Sequence, residues 1–152
     1  MREQSQDQLS SIALTIFALN GQFLKIAEKL SQPAGLTATR WQVLGAVLNE
    51  PLTQAEIARR MGITRQSVRR TSAQLVDDKM ACFIPNPSHR TAQLLQPTEI
   101  GYSAIKKINP QHADFAKKLE RELGTEKLEA YTKALLNLQE ALDTLAPSST
   151  DI

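Results

Sequence analysis

Hydrophobic positions recur every three or four residues along most of this chain. Leu9, Ile12, Ala13, Ile16, Phe17, Phe23, Leu24, Ala27 and Leu30 form the first series, which predicts one long amphipathic helix over about residues 7–31. Asn20 and Gly21 interrupt the stripe, and the run Ser31-Gln32-Pro33-Ala34-Gly35 ends it. A second helix is predicted over about 37–49. Thr37 caps it, Leu36 and Trp41 stand at hydrophobic-staple spacing, and Asn49 and Pro51 stop it.

The segment "LTQAEIARRMG" (52–62) opens with a capping box, Thr53 followed three residues later by Glu56, and Gly62 closes it. Thr64 caps the next helix, which runs out near Asp77–Lys79. Two helices joined by so tight a turn predict a helix-turn-helix. "ACFI" (81–84) and "AQLLQ" (92–96) have strand-like content around "PNPSHR", which predicts a hairpin stiffened by Pro85 and Pro87. Thr98 caps a further helix, which Pro110 is expected to kink or split. The last helix, about 125–145, repeats Leu128, Tyr131, Leu135, Leu138, Leu142 and Leu145 in steps of three and four, a coiled-coil-type seam. Residues 147–152 are expected to be a disordered tail.

The expected fold is mainly α with a small β-hairpin. Residues 1–36 form an N-terminal helix, 37–97 a compact centre and 98–146 the C-terminal helices. The terminal stripes are too long for one small domain to cover, so they predict self-association into a homodimer.

Charge changes this picture. The net charge is only +2, but residues 53–90 hold seven basic residues against three acidic ones. The flanking segments are neutral or acidic, so the excess has a location. On a wheel of 100° per residue, Ser72, Leu75 and Val76 fall within about 80° of Val68. Gln66, Arg70 and Ala73 lie opposite, flanked by Ser67, Arg69 and Gln74. Guanidinium, amide and hydroxyl groups are those that read base edges, and an α-helix fits the major groove of B-DNA. The helix start, with Thr64 and Arg65, offers free N–H groups to a phosphate. Gln54, Arg59 and Arg60 on the preceding helix could brace against the backbone. His89 and Arg90, on the stiff hairpin tip, suit a narrow minor groove. Double-stranded DNA is therefore the predicted partner. A protein-docking module without DNA binding is the rival, and steep salt dependence separates the two.

Other chemistry is poorly supplied. Two histidines and one cysteine offer no nucleophile–base spacing, no phosphate loop and no metal-ligand set, so neither an enzyme nor a cofactor is expected. Cys82 alone excludes an internal disulfide and fits a reducing compartment. Its position near basic groups admits redox sensing, but a small, half-buried structural residue is the preferred reading. No contiguous apolar run reaches membrane-spanning length, and "IALTIFAL" (12–19) lacks the positive flank of a signal peptide. A cytoplasmic chain with no membrane role is expected.

The segments "LTATRWQVLGAV", "LTQAEIARRMGITRQSVRRTSAQLV" and "FIPNPSHRTAQLLQPTEIG", with the terminal leucine seam, together resemble the MarR family of bacterial winged helix-turn-helix regulators. The resemblance spans about residues 9–145. It implies a dimer built through the terminal helices, a pseudo-palindromic operator, and a repressor released by a small, often aromatic, ligand or by oxidation. It implies that 64–79 is the recognition helix and 81–96 the wing. It matches Arg70 to a base- or phosphate-contacting position and Arg90 to a wing-tip arginine. An effector pocket is expected near Phe17, Phe23 and Trp41, although plain core is the commoner fate of such aromatics. Three departures stand out. Lys79 replaces a glycine, which suggests a different helix cap. "SHRT" (88–91) lacks the acid and second arginine that brace the wing. Arg69 replaces a threonine.

Overall fold

The computed structural model describes residues 1 and 3–145, so the tail expected at 147–152 lies outside the described residues. The chain divides into two compact units, Met1–Ile108 and Asn109–Ile152.

In the first unit, α1 (Gln4–Ser31) leads through a short 3-10 turn (Gln32–Ala34) into α2 (Ala38–Ala46), α3 (Gln54–Met61) and α4 (Arg65–Asp77). Strands β1 (Ala81–Ile84) and β2 (Leu94–Pro97) then form an antiparallel pair with Cys82 opposite Gln96 and Phe83 opposite Leu95. Helix α5 (Glu99–Leu123) follows, then α6 (Thr125–Leu145). The architecture is mainly helical with one small hairpin, as the hydrophobic pattern predicts.

The caps act as read. The Thr37 hydroxyl accepts from the Arg40 N–H at 3.2 Å. Thr53 and Glu56 form the reciprocal capping box at 3.2 and 3.1 Å, and Gly62 ends α3 in the left-handed region at φ 64°. The Thr64 oxygen accepts from the Ser67 N–H at 3.0 Å. Two junctions use contacts that the sequence did not flag. Glu28 of α1 accepts from the Ala38 N–H at 2.8 Å, which satisfies a free donor at the start of α2. Leu52 exchanges two backbone hydrogen bonds with Leu95, at 3.3 and 2.8 Å, an isolated bridge on the outer side of β2.

Leu36, Val43, Leu44, Val47, Leu52, Ile57, Val68, Leu75, Leu95 and Ile108 form the buried core of this unit. These side chains come from α2, α3, α4, β2, α5 and the connections before α2 and α3. Their burial fixes which face of α4 points outward.

Three expectations are corrected. Helix α2 stops at Ala46, three residues early, because Pro51 disfavours helical geometry at Glu50 and the chain must turn to reach Leu52. Pro110 does not split α5, which continues to Leu123; the missing N–H leaves one carbonyl unpaired within an otherwise unbroken helix. Lys79 does not change the cap of α4: it adopts φ 60°, the left-handed value that a glycine would take. Apart from these, one 18-residue stretch within Gln4–Ala34 reaches a mean hydropathy of 1.4, enough to pass for a membrane span by length and composition alone, and none of that stretch is buried.

The α1 stripe is largely uncovered. Leu9, Ile12, Phe17 and Phe23 are exposed, and Ser31 is the one fully buried residue of the helix. In the second unit, α6 buries no residue at all, and Tyr131, Leu135, Leu142 and Leu145 of its seam are each about half or more exposed.

Candidate nucleic-acid interface

The core residues of α4 set the site. Val68, Thr71, Ser72 and Leu75 are buried, which turns Arg65, Gln66, Arg69, Arg70, Ala73 and Gln74 to the surface. The wheel placed Ser67 outward, but it is only half-exposed, and Thr71, which the wheel left unassigned, faces inward.

Arg65, Gln66 and Arg69 line a cleft of about 780 Å³ together with Thr53, Gln54 and Ala55 of α3 and Phe83, Thr91, Ala92 and Gln93 of the wing. The recognition-helix start, the start of the preceding helix and the wing thus share one concave surface. Arg70 and Gln74 stand outside this cleft on the exposed face of α4. His89 and Arg90 are exposed at the wing tip, where an Asn86 side chain accepts from the Ser88 N–H at 3.0 Å and holds the turn. His89 Nδ1 lies 3.4 Å from the Thr91 hydroxyl. Thr64 is exposed, but its oxygen already serves the helix cap.

Arginine pairing separates two groups. Arg40 pairs with Asp78 at 2.7 Å and Arg60 with Glu50 at 2.9 Å. Arg59, Arg65, Arg69, Arg70 and Arg90 make no hydrogen bond or ion pair among the described residues. Glu56 is engaged in its capping box and Asp78 by Arg40, and among the described residues no carboxylate lies within ion-pair distance of those five guanidiniums. Unpaired guanidiniums on a helix and a hairpin tip are suited to phosphates and guanine edges.

Sequence reasoning missed Arg40 and the cleft wall at Phe83, Thr91 and Gln93. Arg40 carried no signal because its partners lie 34 and 38 residues away. The strand content of the wing did indicate Phe83, but not that its ring would face α4's arginines.

Of the expected effector-pocket residues, Trp41 is half-buried and packs against the core, whereas Phe17 and Phe23 are 71% and 58% exposed. The three rings do not form one buried cluster. Cys82 is a free thiol, half-buried on β1, and accepts from Gln96 Nε2 at 3.6 Å.

Comparison with known proteins agrees with this geometry. The sequence profile of the MarR family matches residues 34–90. An uncharacterized protein of Mycobacterium tuberculosis is 36% identical over 102 residues, covering 67% of this chain and 71% of its own. The HTH-type transcriptional regulator TcaR of Staphylococcus aureus is 26% identical over 138 residues, 89% of this chain and 91% of its own. A mutant MarR from Escherichia coli, solved in complex with operator DNA, superimposes with a TM-score of 0.70 at 17% identity, over 87% of this chain and 96% of that one. The profile match falls on the segment that carries the unpaired arginines, and the likeness in fold extends well beyond it on both sides. The chain belongs to the MarR family of winged-helix, DNA-binding transcription regulators.

Proposed function

We propose that this protein is a cytoplasmic homodimeric repressor that binds a pseudo-palindromic operator in double-stranded DNA. The observation that carries the reading is the set of unpaired arginines on α3, α4 and the wing tip, two of which, Arg65 and Arg69, line one cleft. In this reading Thr64, Arg65, Gln66, Ser67, Arg69, Arg70 and Gln74 meet the major groove and its phosphates. His89 and Arg90 reach the minor groove. The work is recognition rather than catalysis.

The uncovered stripes of α1 and α6 support dimerisation: a helix that exposes Tyr131, Leu135, Leu136 and Leu142 needs a partner to remove them from water. The half-sites then lie about one helical turn apart, about 34–36 Å. Release by a small aromatic ligand fits exposed Phe17 and Phe23, rings that a dimer would bring under cover around Trp41.

Selection of bound sequences from a random duplex pool, with salt titration of the winner, tests the reading. An enriched palindrome whose binding falls steeply with salt supports it. Indifference to all duplexes at low ionic strength refutes it and favours a protein-docking module. A monomer by sedimentation at micromolar concentration refutes the dimer.

A further inference from the structure

We propose that Arg40 is a positioning residue for base reading: it turns the Gln74 carboxamide so that this side chain offers DNA a hydrogen-bond donor. The proposal rests on the reading of α4 as the helix that enters the groove.

Arg40 belongs to the first turn of α2, and its side chain is only 21% exposed. Its Nη1 donates to Asp78 Oδ2 at 2.7 Å, and its Nε donates to Gln74 Oε1 at 3.4 Å. Both acceptors lie on α4 or its C-cap, four residues apart. The short charge-assisted bond to Asp78 anchors the guanidinium. The guanidinium then has a donor left for Gln74.

A guanidinium carries donors and no acceptor. Whichever way the carboxamide is drawn, its oxygen must therefore face Arg40, and its NH2 group is left on the other side. Gln74 is exposed and follows Gln66 and Arg70 at intervals of four, so the three share a row along the outward face. That row is about 12 Å long.

A free glutamine pairs with adenine by using its oxygen and its NH2 together. Gln74, with its oxygen turned to Arg40, is left with the donor alone. It fits guanine N7 or O6 and thymine O4, can reach adenine only through N7 without the second bond to N6, and rejects the donor edge of cytosine.

The test compares the full-length wild type with Arg40→Met, Asp78→Asn and Gln74→Ala, selecting bound sequences from a randomised duplex pool and recording thermal melting in parallel. The wild type is expected to select guanine or thymine at one position of its site. Gln74→Ala loses that preference. Arg40→Met, which keeps Gln74, moves that one position toward adenine by at least about fivefold and leaves the others unchanged. Asp78→Asn, which keeps Arg40 but removes its anchor, gives an intermediate profile. A purely structural role would shift melting without moving the base profile, and that result overturns the proposal. So do wild-type profiles in both Arg40→Met and Asp78→Asn. So does an even loss across all sequences with a salt slope lower by about one, which makes Arg40 a phosphate contact. A wild type that selects no sequence is a different failure, because it removes the DNA-reading role of α4 itself.

Discussion

Gly101, in the first turn of α5, rests directly on the carbonyl of Met80. A Cβ added there would run into the Met80 oxygen, with the carbonyl carbon at 3.1 Å and Leu44 Cδ2 at 3.5 Å. Thr98 completes the contact: its hydroxyl donates to the Lys79 carbonyl, its N–H donates to the Met80 carbonyl, and its oxygen accepts from the Gly101 N–H. The end of the recognition helix and the start of α5 are thus one joint. Because the obstacle is backbone, it cannot rotate away. Gly101→Ala is expected to destabilise the protein by about 1–3 kcal/mol, read as a lower denaturant midpoint. An unchanged midpoint would show that the joint yields easily.

Lys79→Gly is expected to do the reverse. The α4 cap is a Schellman motif, with the Met80 N–H donating to the Leu75 carbonyl at 2.8 Å and the Lys79 N–H to Val76 at 3.0 Å. Holding an L-residue left-handed costs roughly 1–2 kcal/mol. The greater freedom of glycine in the unfolded chain takes back about 0.4–1 kcal/mol. A net gain of about 0.5–1 kcal/mol should appear as a higher melting temperature, and a drop would contradict the left-handed assignment.

Ser72 is fully buried on the inner face of α4, and its hydroxyl has no hydrogen-bond partner among the described residues. Burying such a group unsatisfied costs about 1–3 kcal/mol. Ser72→Ala removes it at almost constant shape and adds helix propensity, so stability should rise by about 1 kcal/mol or more. Calorimetric melting decides, and a destabilised variant would reveal a partner for the hydroxyl.

Arg70→Ala should weaken operator binding by about 1–3 kcal/mol if Arg70 forks onto a base, with little loss on random DNA. Fluorescence anisotropy on both duplexes separates the cases. Equal loss on each identifies a phosphate contact instead.

Arg90→Ala should weaken binding mainly at sites with A/T-rich flanks, where a narrow minor groove concentrates negative potential. Arg90 has no ion pair to hold it, as the absence of an acid in "SHRT" suggested, so its contribution rests on the stiffness of the turn. Affinity loss that ignores flank sequence would place the side chain outside the groove.

Local signals explain what the sequence made legible. Thr53 and Glu56, Gly62 and Thr64 act within a few residues, so the borders of α3 and α4 could be read directly. The outward face of α4 followed from one periodicity, since Val68 and Leu75 leave only one side for the arginines. What stayed hidden depends on distance in the chain. Nothing near Arg40 announces Asp78, nothing near Leu52 announces Leu95, and Glu28 looks like any solvated acid. Lys79 was misread for another reason. Local propensity opposed the left-handed turn, but Thr98 and Gly101 impose it from the far side of the hairpin.

The paired hydrogen bonds between the backbones of Leu52 and Leu95 give the molecule a built-in gauge. Leu52 immediately precedes Thr53, which starts α3, and Leu95 sits in the second strand of the wing. The hairpin is therefore clipped to the base of the helix-turn-helix instead of swinging on its own. Displacing its tip loads both helices of the pair, because β1 follows α4 directly and β2 is tied to the start of α3. Hydrogen-exchange protection at these two amides should rise and fall together, reporting how firmly the wing is seated when DNA grips its far end.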